Sequence, residues 1–382
     1  MSAGPASPSE RITVMHGRIV SGRGGGPEKT ILNSPRFLSR TRWREMALYL
    51  HAPGDTGIAE LAAQARQLEC PFFAIPERLP IDLGVLKQIA ELCARENVRI
   101  WHGHDYKSNL YGLLLRPLCN FRLVTTVHGW VQKTDKTPLY WAVDRWSLKR
   151  YERVVAVSQD LYATCLEIGV EPARLSRIDN GIDVAAWKRR GPAADSPLRA
   201  GVPRGRLVVG AVGRLSDEKG FDLLIEAVNR AALRGADLEL WIAGEGPEKG
   251  KLDALAARTN GRVRLLGFRS DVRDLMEAFD LFALSSLREG LPNVVLEAMA
   301  CEVPLLATRC GGVEAVVRDD VEALLVPISS SKALEDGLVR IASDSGLRTR
   351  LASEGRKRVE RDFSFARRME RFADLYDGLL EG

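Results

Sequence analysis

Cysteine and histidine are scarce in this chain, six and five of 382 residues. The cysteines, Cys70, Cys93, Cys119, Cys165, Cys301 and Cys310, are scattered without Cys-x-x-Cys spacing. That excludes a zinc ribbon and a disulfide framework and predicts reduced thiols. No uninterrupted apolar stretch approaches the roughly 20 residues of a membrane-spanning helix, and the first apolar run, residues 12–15, is too short for a signal-peptide core. A cytoplasmic protein is expected. Nor is there a low-complexity block beyond residues 1–10; with 45% hydrophobic and 27% charged residues the composition is globular rather than disordered.

The length suits two domains of roughly 150 to 200 residues each better than one core. Charge divides unevenly. Residues 1–200 hold 28 basic and 20 acidic side chains, whereas 201–382 hold 27 and 30. A basic first half suggests an anionic partner there, phosphate groups or an acidic membrane leaflet, with no nucleic acid expected.

Short β-rich runs alternate with helical patterns, the pattern of a parallel sheet covered by helices. In the first half strands are predicted at 11–15, 98–101, 123–127, 153–157 and 175–178. Residues 187–204, with three prolines, basic and small residues and no apolar period, read as a linker. A second series follows, with strands at 207–212, 238–243, 263–265, 281–283, 304–307 and 323–326. Two α/β domains are therefore expected, 1–186 and 205–361, with a terminal helix near 362–382 able to pack back on the first. Two such units meeting at a linker predict a cleft, with ligand contacts just beyond the carboxyl ends of strands.

The sharpest motif is SSLREGLPNVVLEAMAC, residues 285–301. Pro292 suits a first helical turn, so a helix should begin near Leu291 with Glu289 in the preceding loop. From Val294 to Cys301 every residue but Glu297 is apolar. A carboxylate in such a helix is costly unless paired or hydrogen-bonded, and a hydroxyl-rich ligand would satisfy it. Free N–H groups around Gly290, Leu291, Asn293 and Val294 offer donors to an anionic or polar ligand. Along the helix the two carboxylates are offset by several ångströms, too far for one acid/base dyad. The alternative is a solvated loop carboxylate and a salt-bridged core one.

This Glu-x7-Glu spacing, followed by Gly311-Gly312 after the next strand, resembles glycosyltransferase family 4, whose members have the GT-B fold and retain anomeric configuration. The likeness covers most of the chain and is strongest over 209–326. It implies an α/β protein of two Rossmann-like domains whose parallel sheets face across a cleft, with a nucleotide-sugar as donor substrate, no cofactor and no metal. Glu297 would bind the ribose hydroxyls and Glu289 the donor sugar. In VGRLSDEKGFDLLIEA, residues 212–227, Gly213, Arg214 and Lys219 follow a strand. Two cations there can neutralise a diphosphate, although alone they are also compatible with a solvated loop. The resemblance assigns Arg214 and Lys219 the diphosphate. It also implies front-face transfer in which the departing phosphate oxygen helps take the acceptor's proton, so that no dedicated base is needed.

SGRGGGPEKT, residues 21–30, places glycines after the first strand, where a backbone can approach a ligand closely. It fails as a dinucleotide fingerprint, since Gly22-x-Gly24-Gly25-Gly26 runs into Pro27. The resemblance makes Gly25 and Gly26 part of a loop near the donor phosphates; the alternative is a structural turn. His16, His102, His104 and His128 are expected at or near strand ends. A His-x-His metal site of His102 and His104 with His128 is the minor reading; the chain has no Asp-x-Asp, the cation-holding pair of metal-dependent sugar transferases. His128 is instead expected to hydrogen-bond donor sugar or acceptor, and His104, Asp105 and Lys107 are candidates for an acceptor pocket. Finally, RFLSRTRWRE, residues 36–45, interleaves Phe37 and Trp43 with four arginines. It reads either as a helix with a solvated basic face or as an anionic-membrane contact. The expected function is transfer of a sugar to a lipid-linked or growing glycan acceptor in cell-surface polysaccharide synthesis. A nucleotide-sugar epimerase of the same fold or a non-catalytic sugar-nucleotide-binding protein are the alternatives, and a nicotinamide dehydrogenase is disfavoured by the failed fingerprint.

Overall fold

The computed structural model describes residues 11–22, 25–38, 40–129 and 137–381. Arg23 and Gly24 of the glycine-rich motif and Ser39 of the 36–45 motif lie outside them. The chain divides into two compact units, Met1–Asn180 with Ala366–Gly382, and Gly181–Phe365.

Unit one is built on β1 (Ile12–Val20), β2 (Trp43–His51), β3 (Phe72–Pro76), β4 (Val98–Gly103), β5 (Arg122–Val127), β6 (Arg153–Ala156) and β7 (Leu175–Arg177). They form one parallel sheet in the order β3-β2-β1-β4-β5-β6-β7. Helices such as Leu83–Arg95, capped by Asp82, follow the strands in the usual crossover pattern. The winding reverses between β1 and β4, which places the switch point of this sheet at their carboxyl ends.

β2 and β3 were not legible as strands. β2 is entered through charged residues, Arg44 and Glu45, and β3 ends on Pro76, tolerated because β3 is at the sheet edge. β1 runs to Val20, so His16 sits inside a strand rather than at its end. The described part of the 36–45 segment is not a basic helix. Its end is the start of β2, where Trp43 is 3% exposed and its ring lies 5.4 Å from that of Tyr376. Arg40, Arg42 and Arg44 pair with Glu69, Asp377 and Glu96. The apolar demand of the core decided this segment's fate, overriding its charge pattern.

Unit two carries β8 (Leu207–Val212), β9 (Leu238–Ala243), β10 (Val263–Leu265), β11 (Leu281–Leu284), β12 (Leu305–Thr308) and β13 (Ala323–Val326), ordered β10-β9-β8-β11-β12-β13 and all parallel. Strand sequences such as LVVGAV are near-continuously apolar because helices cover both faces. Gly210 is there because a Cβ would lie 2.0 Å from the Phe279 ring. The winding reverses between β8 and β11. The segment 187–204, expected as a linker, belongs to this unit. Arg189 donates to the carbonyls of Cys301 and Phe279 at 2.8 and 3.0 Å, Arg199 pairs with Asp280 at 2.8 Å, and Ala193 is buried. Its missing apolar period reflects two 3-10 turns, Ala193–Asp195 and Pro197–Arg199, rather than freedom. The terminal helix Phe365–Glu381 packs on unit one, with Tyr376 and Phe372 fully buried.

Candidate active site

In unit two the loops after β8, β11 and β12 meet at the switch point. β8 delivers Gly213 and the exposed Arg214, and Lys219 closes the 3-10 turn Asp217–Lys219. Gly220 then adopts φ 60°, and a Cβ there would stand 2.4 Å from the Ser285 carbonyl oxygen, so only glycine lets the two loops touch. Ser285 Oγ donates to the Lys219 carbonyl at 2.8 Å, and Leu287 N–H to the Glu218 carbonyl at 2.8 Å. These bonds bring Lys219 Nζ to 2.6 Å from Glu289 Oε1, and Ser286 Oγ donates to the same oxygen at 2.6 Å. The Lys219 and Glu289 side chains are 20% and 11% exposed, an ion pair at the mouth of the site rather than in its core.

The loop after β12 supports Glu289 from the other side. Gly312 N–H donates to the Glu289 carbonyl at 3.3 Å, and a Cβ on Gly312 would sit 1.0 Å from the Gly290 oxygen. The Gly311-Gly312 pair is therefore a close backbone approach. The helix runs Asn293–Ala300 with Pro292 as its N-cap at ψ 110°, starting two residues after the expected Leu291. The residue before a proline is driven out of the α region, which keeps Leu291 in the loop. Gly290 is exposed, Leu291, Asn293 and Val294 are half-buried, and Glu297 is buried at 4% exposure on the helix. A Cβ on Gly213 would make only ordinary contacts, 3.5 Å to the Phe221 ring. The sequence did not reveal that Lys219 and Glu289, 70 residues apart, bind one another, nor that Ser286 completes the pair. The available signal was Ser285-Ser286 at the carboxyl end of an apolar strand.

In unit one the corresponding end of the sheet holds the glycine loop and the histidines. Gly25 N–H donates to Glu28 Oε2 at 2.5 Å, and Glu28 pairs with Arg18. Gly25 is thus the cap of the helix Gly26–Asn33, its N–H already satisfied, which favours the structural turn at Gly25. Asp105 and Lys107 are likewise engaged within unit one. Asp105 accepts from Lys107 N–H at 3.0 Å and Ser108 N–H at 2.9 Å as the cap of the helix Tyr106–Leu115, and from Ile19 N–H at 2.7 Å. Burial raises its carboxyl above the usual range against the pull of Arg18 and these N–H groups. Lys107, 7% exposed, pairs with Glu77 and donates to the Leu79 carbonyl at 3.3 Å. Both side chains are tied into unit one by these bonds.

His104 Nδ1 lies 3.0 Å from His128 Nε2, and His104 Nε2 lies 2.9 Å from His16 Nδ1. His102 is engaged at both nitrogens, by Tyr376 OH and Thr126 Oγ1, each at 2.7 Å. Burial holds His102, His104 and His128 well below the usual histidine range. Among the described residues the cluster able to hold a metal is His16, His102 and His104, rather than the His102, His104 and His128 set of the minor reading. Its rings are near-parallel, 18° between His102 and His104 and 31° between His16 and His104. The nitrogens of these rings are engaged by one another, by the Tyr376 and Thr126 hydroxyls and by the Glu45 carboxylate.

Two family descriptions match the chain: "Glycosyltransferase Family 4" over residues 24–186 and "Glycosyl transferases group 1" over residues 206–344. The chain belongs to glycosyltransferase family 4. The lipopolysaccharide core biosynthesis glycosyltransferase LpsE of Rhizobium meliloti is 38% identical over 175 residues, 45% of this chain. That match spans about half, 49%, of the relative's length. The Escherichia coli UDP-Gal:alpha-D-GlcNAc-diphosphoundecaprenol alpha-1,3-galactosyltransferase is 26% identical over 309 residues, 77% of this chain and 79% of that one. The fold of this family 4 glycosyltransferase is also that of Anabaena HepE, crystallised with UDP and glucose, with a TM-score of 0.80 at 22% identity over 96% of this chain and 100% of the other. Among the described residues no helix is long and apolar enough to cross a membrane.

Proposed function

We propose that this transferase moves a sugar, with retention and without a metal, from a nucleotide-sugar to a lipid-linked or growing glycan acceptor in cell-surface polysaccharide synthesis. The observation that carries the donor side is the Lys219–Glu289 pair, 2.6 Å apart at a topological switch point with Arg214 exposed beside it. A departing nucleoside diphosphate gains negative charge where these two cations stand, and preorganised charge of this kind is worth several kcal/mol in a transition state. Glu289 is positioned to accept hydrogen bonds from sugar hydroxyls, and buried Glu297 from the ribose. Arg214 and Lys219 supply the neutralisation that a divalent ion supplies elsewhere. On the acceptor side the reading draws on relatives named for lipopolysaccharide core synthesis and for a diphosphoundecaprenol-linked acceptor.

Contact with an anionic membrane surface is part of the proposal. What supports it is a depression of about 350 Å³ in unit one lined by Arg116, Arg122, Arg150, Arg153 and Arg174 around Glu152, with exposed Leu118 and Trp146 nearby in sequence. Co-sedimentation with anionic liposomes at low salt tests it, and recovery of all protein in the supernatant overturns it.

The transfer itself is tested by incubating donor and polyprenyl-diphosphate-linked acceptor with EDTA present and reading the new linkage by NMR. A product with the donor's anomeric configuration is expected. An inverted product, or turnover only with added metal, contradicts the mechanism, and conversion of donor alone to an epimer contradicts the reaction class.

A further inference from the structure

The three hydrogen bonds that end at His128 form an unbranched chain across unit one. Glu45 Oε1 lies 3.1 Å from His16 Nε2, His16 Nδ1 lies 2.9 Å from His104 Nε2, and His104 Nδ1 lies 3.0 Å from His128 Nε2. Strand register puts them in line. Side chains alternate between sheet faces with period two. Val14 pairs with Glu45, His16 with Ala47 on one side and His102 on the other, and His102 with Val124. Glu45, His16, His104 and His128 thus occupy one face of four adjacent strands, β2, β1, β4 and β5, or their immediate extensions. Glu45, His16 and His104 are 3, 4 and 5% exposed, while His128, just past the carboxyl end of β5, is partly open.

Such a chain has a direction. A carboxylate only accepts hydrogen bonds, and a neutral imidazole has one donor and one acceptor nitrogen. With Glu45 accepting and His16 neutral, His16 carries its proton on Nε2 and its Nδ1 must accept. His104 then carries its proton on Nε2, its Nδ1 accepts, and His128 must donate from Nε2. Every nitrogen along the chain is matched, and the one left over is His128 Nδ1, bare of a proton. Burial disfavours imidazolium at His104 and His128, which keeps each ring in the neutral, one-donor form the chain requires. The charged and titratable neighbours fit this polarity. Arg18 donates to the His104 carbonyl at 3.1 Å and pairs with Glu28, Asp105 is taken up by backbone N–H groups, and His102 is occupied by Tyr376 and Thr126. Buried Arg368, on the terminal helix, is held below the usual guanidinium range by burial, offset in part by the charges of Tyr376 and Glu45.

We infer that Glu45, His16 and His104 are positioning residues that lock His128 in its Nε2–H tautomer, so that Nδ1 is presented as a fixed acceptor for a substrate hydroxyl. The assignment of that hydroxyl to a sugar substrate rests on the proposed function; the tautomer does not. A ring free to exchange tautomers would present a donor part of the time and misorient the hydroxyl it is meant to hold.

Nitrogen-15 long-range NMR on the full chain, with His128 assigned through His128→Gln, reads the tautomer directly. Nε2–H at His16, His104 and His128 is expected, and Nδ1–H at His128 overturns the inference. Glu45→Gln, which keeps the side chain's size but can donate as well as accept, is expected to give mixed tautomers at His128. It should also lower kcat about ten-fold, in the range for loss of an orienting partner, with donor KM nearly unchanged. Glu45→Asp should recover part of kcat. A Glu45→Gln protein that keeps both the single tautomer and full kcat overturns the inference, as does one whose loss is confined to KM. If neither variant folds, the wild-type spectrum still decides. Absence of any transferase activity in the wild type would count against the proposed function while leaving the tautomer measurement intact.

Discussion

Replacing Lys219 by Ala separates the structural from the chemical role of the ion pair. With side chains 20% and 11% exposed, the pair stands between exposed pairs, worth about 0–1 kcal/mol, and broken buried pairs, which cost about 3–5 kcal/mol. Ser286 still donates to Glu289 at 2.6 Å, so the carboxylate is not orphaned, and about 2 kcal/mol of destabilisation is the expected cost. In a unit of this size that is a Tm decrease of about 4–8 °C. The chemical effect is larger. Loss of a preorganised group facing developing charge costs about 10²–10³ in kcat. The assay is a double-mutant cycle of Lys219→Ala with Glu289→Gln, following both melting and single-turnover transfer. In the double variant the pair's stability penalty should be recovered by about 1 kcal/mol, because no unpaired carboxylate remains. Transfer should stay slow. A Lys219→Ala enzyme with wild-type kcat would refute the assignment, and a transfer rate restored in the double variant would show that Lys219 acts only by neutralising Glu289.

Glu297→Gln should chiefly weaken nucleotide binding, seen by calorimetry, whereas Glu289→Gln should chiefly lower kcat; equal effects on both would mean that the two carboxylates do not divide the donor between them. Gly312→Ala puts a Cβ 1.0 Å from the Gly290 oxygen, where contacts normally begin near 3.4 Å, so the Glu289 loop must move by about 2 Å and transfer should drop about 10²-fold while unit one's melt is unchanged. Wild-type kinetics in that variant would mean the loops can separate freely. His102, His104 and His128 are held below their unfolded value near 6.5, so the unfolded chain binds more protons as pH falls. Their contribution is complete above about pH 7 and is lost below it, by up to about 1.4 kcal/mol per pH unit for each histidine. Urea melts from pH 7.5 to 5.5 check this, and His102→Gln should reduce the slope by about one proton.

The second half of the chain was the more legible. All six of its strands stand within one residue of where their apolar runs placed them, because buried parallel strands announce themselves as continuous runs. The Glu289 loop and the buried Glu297 were likewise legible from one proline and one polar residue in an apolar helix. In the first half, β2 was masked by Arg44 and Glu45, and the edge strand β3 by its terminal proline. The burial of Trp43 was not legible because aromatic residues among arginines look alike in sequence whether the ring is buried or not. Asp105 and Lys107 looked like ligands because a cap and a buried ion pair use the same residue types as a binding pocket. What the sequence could not show was adjacency across strands. Glu45 and His128 are connected only through register, and Lys219 meets Glu289 only because two strands far apart in sequence are neighbours in the sheet.

Unit two is proposed to grip a nucleoside diphosphate-sugar through Arg214, Lys219, Glu289 and Glu297. Thermal shift against a panel of UDP, GDP and ADP sugars, run on the wild type and on Lys219→Ala, tests it most directly. One nucleotide class should raise the wild-type Tm at a hundred-fold excess over Kd by the equivalent of about 2.7 kcal/mol, with the shift much reduced in the variant. No shift with any of the three, or an equal shift in both proteins, would contradict the account.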